Sequence, residues 1–274
     1  MMDGPQKILA VLAGGGNLPD KLMVGAQAQG WRVHMVTFAG QPTPKPWPEQ
    51  LASHAEFALG QVGAVLKHLQ AQGVTHVCMA GGLNKPSVFQ LKPDAQAMKL
   101  LLRAHTFHDD ALLRAVAVFL QEHGFTLLKV PDLLPDLVAP EGLLAKTKPT
   151  AQDFEDIGLA RDVLAVVGDL DIGQAVVVHH GAVIGVEAVE GTDALLRRCA
   201  ELRGGPTGGV VVKRSKPTQT DLADLPTVGP VTMQLLHELG YRGLAVQAGR
   251  TLVLHQAECV ALANKHTLFL LGQV

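Results

Sequence analysis

Aromatic residues are scarce in this chain of 274 residues: one tyrosine, two tryptophans and eight phenylalanines, 4% of the whole. The core must therefore be built mainly from Leu, Val and Ala. Cysteine is equally sparse. Cys78, Cys199 and Cys259 are odd in number, widely spaced and without a CxxC pair, which argues against a disulfide framework and points to reduced, buried thiols. Charge is thin and balanced, with 23 Lys and Arg against 25 Asp and Glu and a formal net charge of -2. With no dense basic stripe, nucleic-acid binding has no electrostatic footprint. No segment approaches the roughly 18 uninterrupted apolar residues of a membrane span, and the opening MMDGPQKILAVLAGGG lacks the features of a signal peptide. What is present is apolar material, 47% of residues. That excludes disorder, and a mean hydropathy of +0.21 fits a large core or a groove for an apolar ligand.

The first half alternates strand and helix patterns. Apolar runs at 7–13, 32–38, 55–59, 74–80 and 125–130 read as strands. Helical spacing fills 18–29, 62–72, 94–104 and 110–123. This alternation predicts a parallel sheet with helices on both faces. Residues 131–150 are proline-rich and without sustained periodicity, and read as a linker. Beyond them a helix is expected at 154–167, a hairpin at 175–178 and 183–188, and a helix from Thr192 or Asp193. A strand at 210–213, a helix at 231–239 and a second hairpin turning at Gly249 follow. The expected organisation is a Rossmann-like, doubly wound parallel sheet over 1–133, a linker over 134–150 and a mixed-sheet α/β domain over 151–274.

The strand-to-helix turn at Gly14-Gly15-Gly16, followed by Asn17, is the best local signal for chemistry. Glycines at a helix N-terminus let an anion approach backbone N–H groups, and phosphate is the natural ligand. A tight turn between strand and helix is the structural alternative. As a dinucleotide fingerprint the turn is defective: Pro19 stands where the third glycine belongs, and no acid ends the second strand to hold a ribose. Gly81-Gly82 repeats the device after Cys78, with Asn84 and Lys85 behind it. Cys78 reads as packing in the sheet rather than as a nucleophile.

Four polar clusters carry alternative readings. His105, His108, Asp109 and Asp110 suit either helix capping or a Mg²⁺ or phosphate site. Glu187, Glu190, Thr192 and Asp193 stand at a strand exit leading into a helix, as caps or as hard oxygen ligands of the kind Mg²⁺ accepts. Lys213, Arg214 and Lys216 precede a loop carrying Asp221, Asp224 and Thr227. That segment is either an exposed charged loop or a diphosphate site, with cations on the phosphate oxygens and a carboxylate orienting water.

Seven segments, in order and across both halves, resemble the LpxI family: AGGGNLP (13–19), AGGLNKP (80–86), DDALLR (109–114), LDIGQAVVV (170–178), VEAVEGTDALLRR (186–198), KPTQTDLADLPTVG (216–229) and AGRTLVL (248–254). The resemblance implies hydrolysis of UDP-2,3-diacylglucosamine to UMP and 2,3-diacylglucosamine 1-phosphate in lipid A synthesis. It also implies a requirement for Mg²⁺, with Mn²⁺ able to serve. It casts Asp224 of the DLPT motif, Asp193 and Thr192 as catalytic, and Asp224, Asp193 and Glu190 as metal ligands. Gly14, Gly15, Gly16, Asn17, Gly81, Gly82, Asn84, Lys85, Asp110, Lys213, Lys216 and Thr227 become substrate contacts. A lipid-linked sugar nucleotide as partner, a cytoplasmic location, transient contact with the inner-membrane surface and a homodimer complete the expectation. His108 departs from the family pattern, which weighs against a metal role for it and His105. The alternatives are an oxidoreductase on a sugar nucleotide, weakened by the missing ribose acid, and a regulator that binds the lipid nucleotide without cleaving it.

Overall fold

The computed structural model describes residues 7–42, 51–82, 93–103, 109–216 and 225–273. They divide into two compact units that succeed one another in sequence between Pro135 and Asp136.

In the first unit the chain runs β1 (Ile8–Ala13), α1 (Leu18–Ala28), β2 (Arg32–Phe38), β3 (Ser53–Phe57), α2 (Val62–Ala71), β4 (His76–Ala80), α3 (Ala95–Arg103), α4 (Asp109–Glu122), β5 (Thr126–Leu128) and α5 (Val130–Leu133). The strands form one sheet in the order β3-β2-β1-β4-β5, and every pairing is parallel. This is the doubly wound arrangement expected from the alternation of patterns. The central strand β1 is buried from Leu9 to Ala13, which is why it reads as an unbroken apolar run.

The order reverses between β1 and β4, so the turns after these two strands lie side by side at the carboxyl edge. Glycine is required there. A Cβ on Gly14 would stand 2.5 Å from the carbonyl oxygens of both Gly81 and Gly82, and one on Gly81 would stand 2.5 Å from that of Gly15. Gly16 and Gly81 also have φ of 90°, a region that side chains disfavour.

The second unit contains β6 (Gly142–Leu143), α6 (Ala151–Asp169), β7 (Ala175–His179), β8 (Ala182–Val186), α7 (Thr192–Leu202), β9 (Val210–Lys213), β10 (Thr227–Val228), α8 (Pro230–Glu238), β11 (Gly243–Gln247), β12 (Leu252–Val253), α9 (Gln256–Lys265) and β13 (Phe269–Gln273). A six-stranded sheet has the order β6-β13-β11-β9-β7-β8. Its β9, β11 and β13 run parallel, while β6, β7 and β8 join antiparallel to their neighbours. The mixed sheet expected for this half is present.

Side-chain alternation sorts the two faces. Val176, Val178, Val210, Val212, Ala245 and Phe269 pack with Ile157, Ala160 and Leu164 of α6. Val177, Val211, Leu244, Val246 and Leu270 pack instead with residues of α7, α8 and α9. Each fully buried valine or leucine contributes about 1.5–3 kcal/mol, so both faces are fixed by many such terms. Near the end of α7, Arg203 is 8% exposed. Its guanidinium donates to the carbonyls of Gly205, Pro206, Gly208 and Leu239 and lies over the Tyr241 ring.

Some expectations differ from the structure: the strands expected at 55–59 and 125–130 are β3 at Ser53–Phe57 and β5 at Thr126–Leu128, with Val130 already beginning α5. The hairpin turning at Gly249 does not form: β11 is interior, between β9 and β13, while β12 pairs in parallel with β10 in a separate two-stranded ladder. The Gly249 N–H donates to the Ala139 carbonyl instead. The segment read as a linker is also built in. Ala139 donates to Thr251, Val138 bridges to Leu252, and β6 pairs with β13. Its prolines fall outside β6: Pro131 stands in the first turn of α5, where a missing N–H costs little, and Pro140 precedes the strand.

Helix α6 begins three residues earlier than its apolar spacing suggests because Thr150 caps it. Thr150 Oγ accepts the Asp153 N–H at 3.2 Å, and Asp153 Oδ2 accepts from the Thr150 amide at 2.8 Å and from Arg242 at 3.1 Å. Burial pushes the Asp153 carboxyl up, but the bonds from Arg242 and Thr150 together outweigh it and hold it below the ordinary aspartate range.

Gly14→Ala should destabilise the first unit by about 1–3 kcal/mol through overpacking, while Gly82→Ala, whose Cβ would meet nothing within 4 Å, should change stability little. Equal melting temperatures for the two variants would refute the close-approach argument. Because the folded pKa of Asp153 is depressed, its contribution is complete above the unfolded value of about 3.9 and is lost as pH falls through the lower folded value. Asp153→Asn should therefore lower the melting temperature at pH 7, and the gap to the parent protein should narrow toward pH 3.

Candidate functional site

The carboxyl edge between β1 and β4 is the topological switch point where ligands of such sheets bind. Its glycine amides, however, are used within the fold. Gly14 N–H donates to Ala80 at 2.8 Å, Gly15 N–H to Gly82 at 2.6 Å and Gly16 N–H to Pro42 at 3.3 Å. The expectation that these three groups face an anion is corrected on that ground. Adjacent parallel strands end side by side, and without side chains the two turns close to hydrogen-bonding distance. Gly81 and Gly82 supply the other half of this contact. Asn17 precedes α1 with helical dihedrals and makes no side-chain cap. Cys78 is fully buried, and burial first, then Asp132, pushes its thiol up to about 12. It is no nucleophile near neutral pH. Asp110 lies in the first turn of α4, with its side chain outside the described atoms. Asn84, Lys85, His105 and His108 lie outside the described residues.

The second unit carries the better-formed cluster. Val211 faces α7, α8 and α9, and strand alternation puts Lys213, two residues on, on that same face. Lys213 Nζ donates to Thr192 Oγ at 2.9 Å and to the Thr227 carbonyl at 3.3 Å. Thr192 Oγ donates in turn to Glu187 Oε1 at 2.6 Å. The other oxygen of Glu187 accepts the Gln174 N–H at 3.0 Å. Three segments distant in sequence thus meet at the end of β9. The Thr227 hydroxyl turns back to the Leu225 carbonyl at 3.1 Å, so this residue meets Lys213 through its backbone.

The surrounding charges are sorted as follows. Gly191 is the N-cap of α7, with φ of 80° and no side-chain cap, so neither Thr192 nor Asp193 caps the helix. Thr192 is drawn instead to Glu187 and Lys213. Asp193 is an exposed residue of the first turn, where the helix dipole favours a carboxylate. Glu190 accepts from Arg198 at 2.8 Å and from the Ala188 amide at 3.1 Å, and the Arg198 guanidinium holds its carboxyl below the usual range. Lys216 forms an ion pair with Asp171. Arg214 is pulled below its ordinary pKa by burial first, then by the charges of Arg161 and Arg250. Asp221 and Asp224 lie outside the described residues.

Sequence reasoning singled out Lys213, Lys216, Thr192 and Glu187, but missed Asp171 and Gln174. No local spacing announces these two. They reach the cluster only through the order of strands in the sheet. Among the described residues no three His, Cys, Asp or Glu side chains are grouped to hold a metal ion. What the cluster offers is positive charge, and a hydroxyl fixed by a carboxylate, at the carboxyl end of a buried strand. That arrangement suits an anionic group such as a phosphate.

Comparison with known proteins places these features in a family. The model of the LpxI N-terminal domain matches residues 8–137, and that of the LpxI C-terminal domain matches residues 140–271. The UDP-2,3-diacylglucosamine pyrophosphatase LpxI of Caulobacter vibrioides (strain ATCC 19089 / CIP 103742 / CB 15) is 36% identical over 275 aligned positions, covering 96% of each chain. Among solved structures, that of the Bordetella bronchiseptica enzyme WbmG in complex with NAD overlaps with a TM-score of 0.30 at 18% identity, over 45% of this chain and 36% of that one. So loose an overlap bears on neither fold nor ligand. With both domain models matched and a full-length relative above one-third identity, the chain belongs to the LpxI family.

Proposed function

We propose that this chain hydrolyses the diphosphate of UDP-2,3-diacylglucosamine, releasing UMP and 2,3-diacylglucosamine 1-phosphate for lipid A synthesis. The observation that carries the reading is the 36% identity, over 96% of both chains, to the Caulobacter pyrophosphatase. The cationic cluster at the end of β9 supports it chemically. Two adjacent phosphates repel an incoming nucleophile, and fixed positive charge offsets that repulsion most where charge accumulates in the transition state. Lys213 would hold oxygens of the departing phosphate, with Lys216 beside it. Water adds to one phosphorus as the bridging P–O bond breaks, and Asp224 of the DLPT motif would orient that water or take its proton.

The Mg²⁺ requirement rests on the resemblance. The described carboxylates do not fit a cation site by themselves, since Glu190 is engaged by Arg198 and Glu187 by Thr192 and Gln174. Asp193 and Asp224 stand as the remaining candidates to hold an ion. No helix among the described residues is long and apolar enough to cross a membrane. In this reading the protein works in the cytoplasm and meets its lipid substrate by transient contact with the inner-membrane surface.

Incubation of purified protein with UDP-2,3-diacylglucosamine and Mg²⁺ should yield UMP and the lipid monophosphate in equal amounts, and excess EDTA should stop turnover. Binding without UMP release would favour a regulator instead, and full turnover in EDTA would remove the metal. Asp224→Asn should abolish turnover yet still retain intact lipid nucleotide, detectable by mass spectrometry, because asparagine keeps the shape but not the charge. A variant keeping more than about a tenth of turnover, ~1.4 kcal/mol of barrier, would put the chemistry on another residue.

A further inference from the structure

We infer that Glu187 is a positioning residue for the hydrolysis, acting on the Lys213 ammonium through the hydroxyl of Thr192. The inference rests on the diphosphatase reading and adds to it a residue whose carboxylate serves neither metal nor water.

The direction of the hydrogen bonds is forced. A lysine ammonium can only donate, so at 2.9 Å Thr192 Oγ accepts from Lys213. The single proton of that hydroxyl is then available for Glu187 Oε1 at 2.6 Å. The chain runs from Lys213 to Thr192 to Glu187 and cannot be reversed. A carboxylate at its end sets the rotamer of Thr192 and leaves the threonine oxygen turned toward Lys213.

Glu187 is built to be that fixed end. It is 9% exposed, and its second oxygen is held by the Gln174 amide at 3.0 Å. Its own N–H donates to the Ala175 carbonyl at 2.8 Å. Gly173 packs so closely that an added Cβ would meet the Glu187 carbonyl carbon at 2.7 Å. Lys213, by contrast, carries its charge on a flexible four-carbon stem. An ammonium already held where the phosphate charge develops needs no reorganisation during the reaction. The cluster places a neutral hydroxyl between the carboxylate and the ammonium along this path, so the lysine is oriented through a dipole. Lys216 is instead held by Asp171 directly.

The test is a double-mutant cycle on kcat and KM for UMP release, using the full chain with parent, Glu187→Gln, Thr192→Val and the double variant. Glu187→Gln should lower kcat at least about tenfold with KM changed less than about threefold. In the Thr192→Val background the same change should alter kcat by less than about twofold, because the connection is already cut. A residue that merely supports the fold through Gln174 would lose the same factor in both backgrounds. A smaller loss in the single variant, or an equal loss in both backgrounds, overturns the inference. If Glu187→Gln melts below the assay temperature, Glu187→Asp, which withdraws the carboxylate by one methylene, carries the same cycle with the same criteria. A parent protein that releases no UMP overturns the parent reading and this inference together. An active parent with an unaffected Glu187 variant overturns the inference alone.

Discussion

A strand buried on both faces can carry charge only beyond its last apolar residue. This constraint governs the second unit. Val210, Val211 and Val212 occupy β9 between two layers of helices, with alternate side chains in each core. Burying an ionised group there without compensation would cost far more than the strand could return. The first positions able to hold a cation are therefore Lys213 and the residues after it, at the carboxyl edge. Their faces are assigned by alternation before any contact is made. The polar residues of α7 and of the β8 exit are then recruited to whatever the strand end presents.

Much of the fold was legible in the sequence. The parallel sheet of the first unit was readable because its central strands β1 and β4 are largely apolar and end at glycine turns, and Arg32–Phe38 and Val210–Lys213 appear with the bounds their composition suggests. Pairing was not legible. Ala245-Val246 and Leu252-Val253, joined by a glycine turn, look like a hairpin. The competing solution, an interior parallel β11, depends on β9 and β13, which lie far away in sequence. The proline-rich stretch after Pro131 misled for a related reason: its prolines mask short elements placed between them, α5 with Pro131 in its first turn and the two-residue β6 after Pro140.

The site was legible by residue type and obscure in its connections. Lysines followed by carboxylates announce anion chemistry, and Thr192 lies in a motif that draws attention. Nothing local reveals that Thr192 leaves the helix cap to Gly191 and joins Glu187 to Lys213. The glycine turns teach the converse. Their amides looked poised for a phosphate because a run of glycines after a strand is the usual signature. The same absence of side chains permits two backbones to meet, and here Gly14 and Gly15 bond to the neighbouring turn.

The place of β13 in its sheet has a consequence for biosynthesis. This strand is formed by Phe269–Gln273, yet it lies between β6 and β11 rather than at an edge. A nascent chain can pair all five strands of the first unit once residue 128 has left the ribosome. The second unit must wait with β11 open on one side and β6 without a neighbour until almost the last residues described here are made. Loss of residues 269–273 would thus remove an interior strand and expose the edges flanking it, surfaces of the kind that nucleate aggregation. The two sheets are in this way unequal in synthesis: the first has all its strands once residue 128 is made, and the second lacks an interior strand until residues 269–273 follow.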